Sequence, residues 1–107
     1  MNPQQAKALK QLQQMQQKIA EAQEQLAHET VEASAGGGAV TAVVSGDLVV
    51  REVRIKPEAA DPDDVEMLQD LVLAAVNEAL RAAHELAQKK MNAASAGFEV
   101  PGIPGLF

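Results

Sequence analysis

An α+β fold, with a long helix on either side of a three-stranded antiparallel meander, follows from three features of the sequence. Apolar residues recur at helical spacing over residues 3–28 and again over 61–91. Between them the period drops to two and β-branched residues enter. The second helix then carries more apolar surface than a 107-residue domain can cover by itself, which predicts an obligate dimer.

The first helix is predicted over Pro3 to His28. Leu9, Leu12, Met15, Ile19, Ala22 and Leu26 follow helical spacing, with Leu12, Ile19 and Leu26 seven apart. The stripe is narrow, and nine glutamines fill most of the remaining positions, as in a solvated coiled-coil-like arm. Three strands are expected next, Thr30 to Ser34, Ala39 to Ser45 and Leu48 to Lys56. Gly36-Gly37-Gly38 forms the first turn, and Ser45-Gly46-Asp47 the second, with Gly46 supplying the left-handed residue of the hairpin. The triple glycine lacks the Lys-Ser/Thr of a phosphate loop and leads into no helix, so it does not signal a nucleotide site. In the third strand Val49, Val53 and Ile55 alternate with polar neighbours, and Arg51 shares their face, which places it at a sheet edge or a subunit boundary.

The second helix is expected from Asp61 to Met91, with Asp61 as N-cap, Pro62 at the first helical position and acids over the positive end of the dipole. One apolar stripe comprises Val65, Leu68, Val72, Ala75, Ala79, Ala82 and Leu86; a second comprises Leu73, Val76, Leu80, Ala83 and Ala87. Together they span roughly 200° of the wheel, against the ~100° that one packing surface needs. The second stripe, at Leu73, Val76, Leu80 and Ala83, is therefore expected at the dimer interface. Residues 1–97 are read as one domain and 98–107 as a Pro/Gly-rich apolar tail that is dispensable for the fold.

Composition narrows the function. Of the apolar residues 20 are alanine, and Phe98 and Phe107 are the aromatics, so large core side chains are scarce. The absence of cysteine excludes disulfides and thiol chemistry, and the N-terminus lacks the pattern of a signal peptide, which points to the cytoplasm. No apolar run approaches the ~20 residues of a membrane span. His28 and His84 stand alone, and the carboxylates at Asp61, Asp63, Asp64 and Glu66 lack the spacing of a calcium loop, so no metal, cofactor, small-molecule substrate or catalytic constellation is expected. The net charge of −6 hides a polarised chain. Residues 1–18 carry Lys7, Lys10 and Lys18 without an acid, residues 86–95 carry Lys89 and Lys90 without an acid, and residues 58–70 hold six of the fifteen acids.

With these residues in view, the chain resembles the YbaB/EbfC family of bacterial nucleoid-associated proteins over nearly its whole length. The resemblance rests on Met15-Gln16-Gln17-Lys18 and on Gly46 followed by Arg51-Glu52-Val53-Arg54-Ile55-Lys56-Pro57. It rests above all on Met67-Leu68-Gln69-Asp70-Leu71-Val72 leading into Ala74-Ala75-Val76-Asn77-Glu78-Ala79. Leu48, Val49 and Val50 depart from it, standing where relatives are often more polar. What the resemblance implies is a non-enzymatic, tweezer-like homodimer in the nucleoid that binds double-stranded DNA with little sequence preference. The lysines at the helix ends, Lys7, Lys10, Lys18, Lys89 and Lys90, are then the expected DNA contacts. The alternative is a dimeric module that engages a replication or recombination protein.

Overall fold

In the computed structural model, which describes residues 1–96, the chain runs α1 (Pro3–His28), β1 (Thr30–Ala35), β2 (Val40–Ser45), β3 (Val50–Ile55), a 3-10 turn at Pro57–Ala59, and α2 (Val65–Ser95). The strands form one antiparallel sheet in the order β1-β2-β3. The predicted α+β order of elements is the observed one.

α1 starts where proline and asparagine dictate. The Asn2 side chain accepts from the Gln5 backbone N–H at 2.7 Å, and the Gln5 side chain accepts from the Asn2 N–H at 3.2 Å, a capping box with Pro3 at the first helical position. α2 starts later than the sequence predicts. Asp61 closes a turn instead, accepting the Asp63 N–H on its side chain at 2.9 Å and the Asp64 N–H on its carbonyl at 3.1 Å. Asp64 is the N-cap, accepting from the Met67 N–H at 3.2 Å. Both aspartates are good caps; the one followed by proline made a turn, which proline at the second position also favours. At the other end α2 continues past Met91 through an alanine-rich segment to Ser95.

The core is built from small residues. Val40, Ala42 and Val44 on one face of β2 are completely buried against Ala75, Ala79 and Ala83 of α2. These alanines recur every four residues and form a flat strip, so the helix backbone lies close over the sheet. Val31, Ala33 and Ala35 of β1, which pair with Val44, Ala42 and Val40, extend this surface. The opposite face of the sheet is polar: Arg54 pairs with Glu32 at 2.7 Å, and Ser34 and Thr41 share a hydrogen bond of 2.9 Å.

α2 covers β1 and β2 but leaves β3 at the margin, where every residue is exposed. Beyond the sheet, the last third of α2 runs antiparallel to the second half of α1, with Ala93 and Ala94 beside Lys18, Glu21 and Ala22. Residues 3–14 of α1 extend past this contact and are all exposed. The result is a molecule of 73 × 27 × 16 Å, a body joined to an arm.

The joint explains Gly46. All three glycines of Gly36-Gly37-Gly38 have positive φ, as a tight turn requires, but Gly46 does not. The left-handed residue of the second hairpin is Leu48, at φ 65. Gly46 is glycine because of proximity: a Cβ there would lie 2.6 Å from Leu26 Cδ2 and 2.8 Å from the Leu26 carbonyl oxygen. The Gly46 N–H also donates to the Glu29 carbonyl at 2.9 Å, tying the hairpin to the end of α1.

Candidate nucleic-acid interface

The arm gathers the lysines that sequence alone places at two distant points of the chain. On α1 the positions 7, 11, 14 and 18 follow i, i+4, i+7, i+11 spacing, so Lys7, Gln11, Gln14 and Lys18 form one strip, with Lys10 and Gln17 beside it. No acid precedes Glu21. Lys7 and Lys10 are exposed and form no ion pair with another described residue. Lys18 lies where the two helices begin to run together, on a shallow surface shared with Glu21, Gln25 and Lys90.

The two lysines of α2 differ. Lys89 is exposed, without an ion pair to a described residue. Lys90 is turned inward: 22% exposed, it forms an ion pair with Glu29 and donates to Gln25 at 3.2 Å. Its charge ties the end of α2 to the end of α1. Sequence reasoning missed this pairing, because residues 29 and 90 are linked only through the fold.

The body carries an apolar side. Ile55, Leu68, Val72, Leu73 and Val76 line an open groove of about 480 Å³ between β3 and α2. Leu73 is 61% exposed, and Val53 and Ile55 are also exposed. Of the four residues expected at a dimer interface, Leu73 stands fully on this side, while Val76 and Leu80 are half-buried and also pack on the core. Ala83 is completely buried within the chain, so it has no surface left to present.

A polar cluster braces the hairpin above that side. The buried Ser45 hydroxyl donates to Asp47 and accepts from Arg51 Nε at 3.0 Å, while Arg51 Nη2 reaches Asp47 at 3.3 Å. The Ser45 hydrogen bond, with help from the Arg51 charge, holds the Asp47 carboxyl below the ordinary carboxylate range. Arg51 can do this because β3 is bulged. Val44 pairs with Val50 and Val43 with Glu52, leaving Arg51 as the extra residue. The simple alternation that put Arg51 on the face of Val49 and Val53 is therefore broken, and Val50 takes the place opposite Val44.

Among the described residues no group of His, Asp and Glu side chains is arranged to hold a metal ion, and no helix is long and apolar enough to cross a membrane. A helical arm that is basic and free of acids as far as Glu21, carried clear of a small sheet-and-helix body, has the geometry of a small nucleic-acid-binding protein. The chain matches the YbaB/EbfC DNA-binding family over residues 1–98, and it belongs to that family. It is 57% identical over 99 residues to a nucleoid-associated protein of Acetivibrio thermocellus, covering 92% of this chain and 86% of that protein. It is 48% identical to a nucleoid-associated protein of Pelotomaculum thermopropionicum, covering 92% and 93% of the two chains. An uncharacterised protein of Helicobacter pylori shares the fold, with a TM-score of 0.68 at 21% identity over 83% of this chain and 91% of that one.

Proposed function

We propose that the protein works as a homodimer that binds duplex DNA with little sequence preference, at the nucleoid in the cytoplasm, and contributes to nucleoid organisation and gene regulation. The observation that carries this reading is the α1 arm: a solvated helix with Lys7 and Lys10 exposed and no acid before Glu21. Family membership and the nucleoid-associated names of the relatives support it.

The lysines and glutamines of the arm suit phosphate oxygens, which position a protein without reading sequence. No aromatic lies between Pro3 and Ala96 to stack on bases or wedge between them, so the binding is governed by charge. The net charge of −6 is no obstacle, because the acids of residues 58–70 lie at the start of α2, far along the molecule from the arm. With a Debye length of ~8 Å at physiological salt, a phosphate beside Lys7 is screened from them. Lys7, Lys10 and Lys89 are the principal contacts in this reading, with Lys18 at the base of the arm and Lys90 holding the two helices together.

Dimerisation follows from the uncovered side of the body. Leu73, Val76 and Leu80 of α2, together with the exposed inner face of β3, form an apolar surface of the kind a second copy buries. Each dimer then carries two arms. A gel shift with random duplex at 50 mM and 200 mM salt tests the binding. Modest affinity that weakens steeply with salt, regardless of duplex sequence, is the expected outcome. Binding that is insensitive to salt, or confined to one sequence, would contradict it.

A further inference from the structure

Glu29 is the single residue between α1 and β1, and it is bonded to three elements at once. Its N–H donates to the Gln25 carbonyl at 3.1 Å, closing the last turn of α1, and its carbonyl accepts the Gly46 N–H of the second hairpin at 2.9 Å. Its carboxylate holds Lys90 of α2, which also donates to the Gln25 side chain at 3.2 Å. Gln25 and Glu29 are one helical turn apart, so Lys90 clasps the end of α1 at two points. The residues beside this clasp are small, Ala22 on α1 and Ala93 and Ala94 on α2. Alanines let two helices approach but give few ridges to fix their crossing angle, which leaves the angle of the arm to the clasp.

We infer that the Glu29–Lys90 pair is a positioning element of the DNA site: it fixes the angle of the arm, and Lys90 itself contacts no phosphate. This rests on the reading that the arm binds duplex DNA. Lys90 has one donor each committed to Gln25 and Glu29, and its side chain is only 22% exposed. Glu21 lines the shallow surface beside it, so a phosphate approaching Lys90 meets two carboxylates. The pair has leverage because it sits at the pivot. Lys7 is 22 residues from Glu29, about 33 Å at 1.5 Å per residue. A swing of about 10° at Glu29 displaces Lys7 by about 6 Å, whereas a duplex strand offers one phosphate per ~3.4 Å of axis. Releasing the clasp spreads Lys7 and Lys10 over several phosphate positions. With about a tenth of released arms in the binding orientation, affinity falls about tenfold.

Salt titration of duplex binding separates positioning from contact. Lys90→Gln and Glu29→Gln should each weaken binding to random duplex by about tenfold, with the slope of log affinity against log salt unchanged. The exchange Glu29→Lys with Lys90→Glu rebuilds the pair with its charges reversed and should recover most of the loss. A Lys90→Gln slope reduced by ~0.9 for each arm engaged would make Lys90 a phosphate contact and overturn the proposal. So would a Glu29→Gln variant that binds as tightly as the parent or more tightly, since removing that carboxylate helps a contact and harms a clasp. Arm orientation is measured without DNA. The chain has no cysteine, so Gln13→Cys on the arm and Ala74→Cys on α2, both exposed positions, take spin labels in full-length protein diluted with unlabelled chains. The parent should give a narrow distance distribution that Lys90→Gln broadens; an unchanged distribution overturns the proposal even where binding falls. A parent that binds no duplex would remove the reading of the arm as a DNA site, while the distances still decide whether the pair fixes the arm.

Discussion

The body and the arm of this molecule are held by different physics. In the body, valines of β2 and alanines of α2 are excluded from water, and the packing is close because the side chains are small. In the arm, the helices meet over a few residues and an ion pair, and the outer half of α1 has no neighbour among the described residues. The body is therefore sensitive to shape and the arm to charge. In the proposed function the open apolar side of the body serves self-association, and the acid-free strip of the arm serves DNA binding.

The largest expected effect is on the body. Leu73→Asp changes a residue that is mostly exposed in the single chain, so the fold should survive while association fails. An uncompensated charge buried at an interface costs about 3–5 kcal/mol, which raises the dimer Kd by about two to four decades. Light scattering on parent and variant at micromolar concentration measures it. A variant that remains dimeric would move the interface elsewhere.

The joint comes next. Gly46→Ala places a methyl group within 2.8 Å of the Leu26 carbonyl oxygen, backbone that cannot rotate away. A loss of about 1–3 kcal/mol is expected, as for other overpacked sites. Thermal melting gives its size, and hydrogen exchange locates it. Lost protection confined to residues near 26–29 and 45–47 would mark the joint as separable from the core, whereas uniform loss would show body and arm to be one cooperative unit.

A smaller and opposite effect is expected at Leu48. Its φ of 65 costs a residue with a Cβ about 1–2 kcal/mol, and glycine returns about 0.5–1 kcal/mol of that as unfolded-chain entropy. Leu48→Gly should therefore stabilise the protein by up to about 1 kcal/mol in urea unfolding. A destabilised variant would show that the exposed Leu48 side chain has a packing role in the dimer that outweighs the strain.

The smallest effect is a pH dependence. Asp47 has its carboxyl held below the ordinary value near 3.8 by Ser45 and Arg51. A carboxyl depressed in the folded state contributes stability that is fully present above its unfolded value, and that is lost as pH falls through the folded one. Because Asp47 is solvated, the contribution is small. It should appear in an Asp47→Asn comparison as a shallower decline in stability below pH 4, with little change in its pH dependence at pH 7.

Most of this architecture was legible in the sequence where one physical signal acted alone. The 3.6-residue period fixed α1, and the change of period to two located the strands. Errors came where two signals competed. Asp61-Pro62 and Asp64 both read as helix starts, and hydrogen bonding within the turn decided for Asp64. Gly46 fits both a left-handed turn and a close approach, and only the position of Leu26 separates the two. The bulge at Arg51 leaves no mark in a simple alternation, because it depends on the pairing of β2 with β3. The wide apolar surface of α2 is read from the sequence as a need for two neighbours, with Ala83 placed on the outer of its two stripes. Ala83 belongs to the inner packing, since the small residues are the ones on which the helix sits closest to the sheet. The lysines were visible as charge, yet the Lys90 tie to Glu29 required knowing that α2 returns beside α1. The tail from 98 onward, which the sequence marks as dispensable for the fold, lies outside the described residues.

The most direct test of the central claim, that the arm binds DNA through its charge, replaces Lys7, Lys10 and Lys18 with glutamine. Glutamine has nearly the helix propensity of lysine and matches the rest of the helix surface, so melting temperature and dimerisation should hold. The measurement is the slope of log affinity for random duplex against log salt. Three lost phosphate contacts at ~0.9 each should reduce its magnitude by about 2.7 for each arm engaged, with weaker binding at every salt concentration. A folded dimer that binds as tightly as the parent with the same slope would contradict the account and remove α1 from the DNA site.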